Sequence, residues 1–273
     1  MPTNQRSFVF SLSCTMAVFL ALCFLVIPVV ALLTALPVGD LSGLLMQPAV
    51  IDAVVVTLRT NLVANVLILA IGTPAAYALA RHSFRGRSLL ITLIELPLVL
   101  PPAVAGIALL TAFGTHSLIG GWLADHDVVL PFTEIAVVVA VTFVAAPFFL
   151  RSAISAFSAV EHDLLDAARD LGASESLVFR RVALPLAADG LRAGWALAFA
   201  RGTGEFGATL LFAGSVARVT QTLPLAVYAE LGVDLNAAIA IGILLLLISA
   251  AVLFVSKLPA TWTPATARSE ASN

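Results

Sequence analysis

Six runs of apolar residues, each close to the length of a bilayer crossing, restrict the fold of this chain more than any other feature. A helix needs about 20 apolar residues to cross about 30 Å of hydrocarbon, where every backbone N–H and C=O must be satisfied within the segment. The runs fall near Cys14–Leu36, Val54–Ala80, Leu89–Phe113, Phe132–Leu150, Gly190–Ala213 and Ala237–Val255. Only 11% of the residues are charged, against roughly 25% in a soluble domain, and mean hydropathy is +1.06. The expectation is an all-α membrane protein with about six transmembrane helices, a single domain over residues 1–273 with no internal repeat. The first run is too long for a signal-peptide core and only Arg6 precedes it, so it is read as retained.

Basic residues collect on one side of these runs, which orients them, because positive loops stay in the cytoplasm. Arg81, Arg85 and Arg87 lie between the second and third runs. Arg151, Arg169, Arg180, Arg181 and Arg192 surround the loop between the fourth and fifth. The opposite side carries Arg218, with Arg59 as a further candidate, and the acids Asp125, Asp127, Glu230 and Asp234. Both termini are then expected in the cytoplasm. Gly and Pro near Pro37–Pro48 and Gly114–Pro131 mark the outer loops.

The inner loop at residues 158–186 is too structured in its pattern to be a mere connection. Ser158 and Glu161 have the spacing of a capping box, which predicts a helix start. Asp163, Asp166 and Asp170 share one helical face, and Leu164, Ala167, Ala168 and Leu171 share another. Gly172 predicts the end of that helix, since glycine accepts the left-handed conformation of a C-terminal cap. Ser174 and Glu175 open a second short helix toward Arg180 and Arg181, which Pro185 is expected to stop. Asp166-Ala167-Ala168, then three residues, Gly172, nine residues and Val182-Ala183-Leu184-Pro185 resembles the EAA loop of ABC-importer permeases. Asp stands for the usual Glu and Val for Ile. The resemblance implies a cytoplasmic coupling loop, with Asp166, Ala167, Ala168, Gly172, Leu184 and Pro185 contacting an ATPase.

The chain carries no ATPase of its own. Its only lysine, Lys257, lacks the preceding glycine of a phosphate-binding loop. Gly202 to Gly207 spells G-x-G-x-x-G, but inside an apolar run and without the strand that a dinucleotide site requires. Cys14 and Cys23 share one predicted helix, and His82, His116, His126 and His162 are scattered, so neither a disulfide framework nor a metal site is expected. No serine in a run has an evident histidine partner, which argues against an intramembrane protease.

The fifth run is unusual in two respects. Gly194, Ala198 and Gly202 form one stripe of small residues, and Ala196, Ala200, Gly204 and Ala208 form a second, so neighbouring helices can approach closely. Arg201 and Glu205 stand four apart within it, with Arg201 expected near the middle of the bilayer. An Arg at a helix centre costs about 2.5–3.5 kcal/mol on insertion scales, so it should face protein or a wet cavity. A translocation path or gate at Arg201, Gly204, Glu205, Gly207 and Thr209 is one reading; an ion pair that only fixes packing is the other. Pro97, Pro101 and Pro102 predict a break in the third run near its cytoplasmic end. Pro28, Pro74 and Pro147 need do no more than shape packing.

Gly204-Glu205-Phe206-Gly207-Ala208-Thr209 and Thr220-Gln221-Thr222-Leu223-Pro224-Leu225 resemble the molybdate permease family, with sulfate permeases as close relatives. Leu96 to Pro102 and Gly72 to Tyr77 extend the likeness, which covers roughly residues 50 to 255; the segments before and after add little. It implies a type I ABC importer permease fold, in the bacterial cytoplasmic membrane, that works by alternating access. The partners implied are a second copy of the chain, two cytoplasmic ATP-binding subunits that use ATP and Mg, and a periplasmic or lipid-anchored oxyanion-binding protein. No cofactor in the chain itself and no nucleic acid is expected. Sulfate, thiosulfate or tungstate are the alternatives to molybdate. A secondary transporter or channel is the rival class, but it would have little use for the 158–186 loop and would place more ionisable groups in its spans.

Overall fold

The computed structural model describes residues 3–257. Among the described residues the regular structure is entirely helical: α1 (Thr3–Leu33), α2 (Val38–Leu45), α3 (Pro48–Arg81), α4 (Arg87–Val99), α5 (Pro102–Phe113), α6 (Leu118–Ala124), α7 (Glu134–Ser158), α8 (His162–Asp170), α9 (Glu175–Val178), a π-helical turn (Phe179–Ala183), α10 (Leu184–Thr203), α11 (Gly207–Ala213), α12 (Leu223–Glu230) and α13 (Leu235–Ser256). Five helical stretches are long and apolar enough to cross a membrane: Phe10–Leu33, Pro48–Arg81, Glu134–Ser158, Glu175–Thr203 and Leu235–Ser256. A sixth crossing arises if α4 and α5 count as one, although they are inclined to each other by 115°. The segment beyond Lys257 lies outside the described residues.

Helices α3, α7 and α10 form the centre, each packed on the other two. Glycines allow this contact. A Cβ on Gly72 would stand 2.9 Å from the Phe149 ring, and one on Gly194 would stand 2.7 Å from the Ser152 Cβ. The stripe Gly194, Ala198, Gly202 is therefore a packing surface, with Ala198 fully buried. By contrast α1 leaves nearly all its apolar side chains from Phe10 onward exposed and packs chiefly on α13, as suits a helix bathed in lipid.

Helix α3 has 34 residues, about 51 Å at 1.5 Å per residue, well beyond a hydrocarbon thickness of about 30 Å. Its first turns stand with polar partners at the end opposite Arg81: Asp52 pairs with Arg218 at 2.8 Å, and Arg59 with Glu134 at 3.1 Å. The short helices α2 and α6 lie within the two predicted outer loops.

Several sequence expectations need correction. The fourth span runs to Ser158, not Leu150, so Arg151 lies two turns inside α7 and not in the following loop. The capping box does not form: Ser158 is the last residue of α7, and Glu161 precedes α8 without a side-chain cap. Pro185 stops nothing. The helix that begins at Glu175 passes through the π turn into α10 and ends at Thr203. In the π turn the Leu184 N–H donates to the Phe179 carbonyl, five residues back, and this wider turn carries the chain past the N–H that Pro185 lacks. The third span breaks at Leu100–Pro101, between helices of 13 and 12 residues, and so mid-way, not near one end. Pro97 remains inside α4.

The close contact at Gly202 generates a test. A Cβ there would lie 2.3 Å from Asn61 Oδ1 and 2.8 Å from Val141 Cγ1, whereas one at Gly43 would meet nothing within 4 Å. Gly202→Ala should destabilise the detergent-solubilised protein by about 1–3 kcal/mol through overpacking, seen as a lower thermal midpoint, while Gly43→Ala leaves the midpoint unchanged. Equal midpoints for the two variants would contradict the packing described.

Candidate functional site

The 158–186 segment folds as a rigid elbow on the central helices. Leu165 of α8 and Val178 of α9 are buried in the same cluster as Ala76, Phe149 and Phe157. Tyr77 packs edge-on against Phe157 and at a tilt against Phe179, with ring centroids 5.3 and 4.9 Å away. Helix α8 ends in a Schellman motif: the Gly172 N–H donates to the Arg169 carbonyl at 2.8 Å and the Ala173 N–H to that of Ala168 at 3.0 Å. Gly172 takes φ of 86°, the left-handed value this closure needs.

Arg169 clamps the elbow shut. Its Nε donates to Glu175 Oε1 at 2.7 Å and its Nη2 to Glu175 Oε2 at 3.1 Å, while Nη1 donates to Asp166 Oδ1 at 2.6 Å. This fork crosses the Gly172 bend and ties α8 to α9. The carboxylates, Glu175 foremost, hold the Arg169 pKa above its ordinary value. Of the predicted apolar face of α8 only Ala168 turns to the core, beside Leu165, which that face did not include; Leu164, Ala167 and Leu171 form an exposed row, with Leu171 90% exposed.

The second constellation surrounds a break in the fifth span. Helix α10 stops at Thr203 and the chain resumes as α11 at Gly207, so Gly204, Glu205 and Phe206 are not helical. Arg201 and Glu205 therefore pair across a helix end instead of along a helix, with Arg201 Nη2 at 2.6 Å from Glu205 Oε2. Glu205 is 1% exposed, and its Oε1 also accepts the Ala208 N–H at 2.7 Å, a carboxylate at the start of α11. The second small-residue stripe does not continue past Ala200, since Gly204 caps α10 in the open and Ala208 belongs to α11. A Cβ on Gly207 would stand 2.8 Å from Pro102, and one on Gly106 would stand 2.9 Å from the Ala208 carbonyl oxygen. The breaks in the third and fifth spans therefore abut. Thr209, fully buried, donates to the Phe206 carbonyl at 2.8 Å.

Asn61 on α3 serves the end of α10. Its Nδ2 donates to the Phe199 carbonyl at 3.0 Å and to Thr203 Oγ1 at 2.7 Å, and its Oδ1 accepts from Asn65 at 2.9 Å. Asn61 is about 20 residues from Arg81, some 30 Å along the helix. Arg201 accordingly stands toward the Arg59–Glu134 end of the bundle and not at its middle, as its place in the predicted run had implied.

A family model described as binding-protein-dependent transport system inner membrane component matches residues 68–259. The chain belongs to that family. It is similar to the molybdenum transport system permease protein ModB of Mycobacterium tuberculosis, 42% identical over 84% of this chain and 87% of that protein. The putative molybdenum transport system permease protein YvgM of Bacillus subtilis is 42% identical over 65% of this chain and 79% of that protein. The sulfate transport system permease protein CysT of Escherichia coli is 36% identical over 76% of each. Among solved structures, a bacterial alginate ABC transporter superposes with a TM-score of 0.74 at 14% identity, covering 92% of this chain and 93% of that one. The MetNI methionine ABC transporter gives 0.60 at 19% identity, covering 76% and 92%. The fold is that of ABC importer permeases, in a multi-pass inner membrane protein.

In this binding-protein-dependent permease the structure brings together Asp166, Ala167, Ala168 and Gly172 on one elbow, while Leu184 and Pro185 lie beyond the π turn at the start of α10. Arg201, Gly204, Glu205, Gly207 and Thr209 gather at the other end of the same helix. Sequence reasoning counted Arg169 only as a positive charge and passed over Asn61 and Asn65. Acids three before and six after Arg169, and two Asn four apart in an apolar run, are the signals that could have found them.

Loss of the Arg169 fork should loosen the elbow alone. Arg169→Ala is expected to speed amide hydrogen exchange at Gly172–Glu175 at least several-fold, with exchange in α3 and α7 unchanged. Unchanged exchange at the bend would mean that the buried Leu165 and Val178 hold the elbow without it.

Proposed function

We propose that this permease carries molybdate into the cell by alternating access, driven by ATP hydrolysis in two separate cytoplasmic subunits that bind ATP and Mg. The observation that carries the substrate is the 42% identity, over most of both chains, to a protein named as a molybdenum permease. Two copies of the chain would form the path, and a periplasmic or lipid-anchored binding protein would deliver the oxyanion. Both termini lie in the cytoplasm in this reading, in keeping with the arginine asymmetry. Sulfate is the second reading, favoured by the 36% identity to CysT; thiosulfate and tungstate are tetrahedral dianions of the same kind.

The geometry supplies a means of coupling. The exposed row Leu164, Ala167 and Leu171 offers an apolar knob to an ATPase surface, stiffened by Arg169 and by the Schellman closure at Gly172. Motion imposed on it passes into a continuous helix of 29 residues, Glu175–Thr203, about 43 Å long. Its far end carries Arg201, Glu205 and the abutting breaks. A displacement at the knob would thus tilt a lever whose other end is the gate.

Uptake of radiolabelled molybdate in cells lacking the protein, with sulfate as competitor, tests the substrate. Loss of uptake that resists sulfate is expected, and intact molybdate uptake with lost sulfate uptake would move the permease to the sulfate group. Gly172→Val forces a branched side chain into φ of 86°, a strain of about 1–3 kcal/mol, and Asp166→Lys turns a partner of Arg169 into a repulsive neighbour. Both should abolish uptake with membrane insertion intact; normal uptake would remove the coupling role. For the path, Arg201→Ala combined with Glu205→Gln removes the pair without leaving a buried charge alone. Assembly without uptake is expected, and wild-type uptake would reduce the pair to packing.

A further inference from the structure

A groove among α4, α7 and α10 holds a second arginine that the path described above does not use. Its volume is about 470 Å³, and Leu98, Phe148, Arg151, Ser155, Gly190 and Leu197 are among its walls, drawn from α4, α7 and α10. At about 30 Å³ per water it would hold on the order of fifteen waters, ample for a hydrated tetrahedral dianion. The Ser152 hydroxyl is committed to the Gly190 carbonyl at 2.9 Å, whereas that of Ser155 is exposed.

Three observations connect this groove with Arg201. Gly190, Leu197 and Arg201 fall within about 40° of one another around α10 at 100° per residue, so the groove and Arg201 share a face. That face is left open by the rest of the chain, with Ala193, Leu197 and Gly204 all exposed. Arg151 lies near the level of Gly190, through the Ser152 contact, and hence about 16 Å from Arg201 along the helix axis. It also stands about 26 Å from the Glu134 end of α7 and two turns short of Ser158, on the inner half of that helix.

The two arginines differ in their counter-ions. Arg201 and Glu205 are in contact at 2.6 Å, with Glu205 buried and fixed by a backbone N–H. Arg151 Nε stands 3.8 Å from Glu95 Oε1, and the two side chains are 72% and 38% exposed. An intramembrane arginine needs an anionic partner or water, and this pair is loose enough to admit a different anion.

We propose that Arg151, with the Ser155 hydroxyl beside it, is an inner station for the oxyanion, on the cytoplasmic side of Arg201, and that Glu95 is the resident counter-ion the substrate displaces and that afterwards expels it. The inference rests on the oxyanion-import reading. Glu95 keeps the station weak, which a conducting site requires, since an anion held by an unopposed arginine would leave slowly.

The test uses the whole transporter, permease with its ATP-binding subunits and binding protein, in proteoliposomes of mixed anionic lipid. Arg151→Ala should lower molybdate uptake about tenfold, the value of one charge-assisted contact, while ATP hydrolysis stimulated by the loaded binding protein is retained. Arg151→Lys, which keeps the charge, should transport at close to the wild-type rate. Glu95→Gln should tighten equilibrium binding of tungstate to the nucleotide-free complex about tenfold and slow uptake. Wild-type uptake in Arg151→Ala, equal loss in the Ala and Lys variants, or unchanged tungstate binding in Glu95→Gln would each overturn the station. So would disappearance of the Arg151→Ala defect in vesicles of phosphatidylcholine alone, which would assign Arg151 to an anionic lipid headgroup. Failure of the import reading is separate: the wild-type transporter would then move neither molybdate, tungstate nor sulfate.

Discussion

The approach of α10 to α3 and α7 at Gly202 is the contact on which the rest of the structure depends. Without a side chain at that position, Asn61 comes within hydrogen-bond reach of the Phe199 carbonyl and the Thr203 hydroxyl. A helix that ends at membrane depth leaves carbonyls without partners, and such an end is tolerated only where protein or water supplies them. Asn61 ties down the last turn from a neighbouring helix, binding the Phe199 carbonyl and the Thr203 hydroxyl. The end at Thr203 then frees Gly204–Phe206 from the helix, which lets Glu205 turn to meet Arg201 and the start of α11.

A similar economy governs the opposite end of the same helix. Charged groups at the surface gain little from pairing, yet the Arg169 fork joins two short elements across a bend that would otherwise be a hinge. The buried anchors Leu165 and Val178 tie that elbow to the cluster around Phe149 and Phe157. The π turn is what makes the connection continuous. By shifting the backbone ladder at Phe179–Ala183 it lets the chain accept Pro185 without stopping, so an elbow on one side and a broken span on the other become two ends of one rod.

Much of this was legible before any coordinates. Hydropathy found all the spanning runs, and Gly172 was readable as a helix terminator because only glycine is at ease at its φ of 86°. The spacing of Asp166-Ala167-Ala168, Gly172 and Leu184-Pro185 marked the elbow. Helix ends were not legible where they depend on a partner far away. Asn61 and Phe199 are 138 positions apart, and no local window could report that a uniformly apolar run stops at Thr203. Pro185 misled for the same reason, since the π turn that accommodates it is secured by Phe179 against Tyr77 and Phe157.

By itself the sequence determined the class, the apolar runs and the family pattern, because each follows from sums over neighbouring residues: apolar length, composition and motif spacing. The tertiary structure alone decided where α10 ends, that Arg201 and Glu205 meet across a break, that Arg151 stands within a span beside Glu95, and that Pro102 and Gly207, just past the two breaks, lie against each other. Those outcomes depend on which helices lie side by side and how closely, and that is fixed by small side chains from distant parts of the chain fitting together.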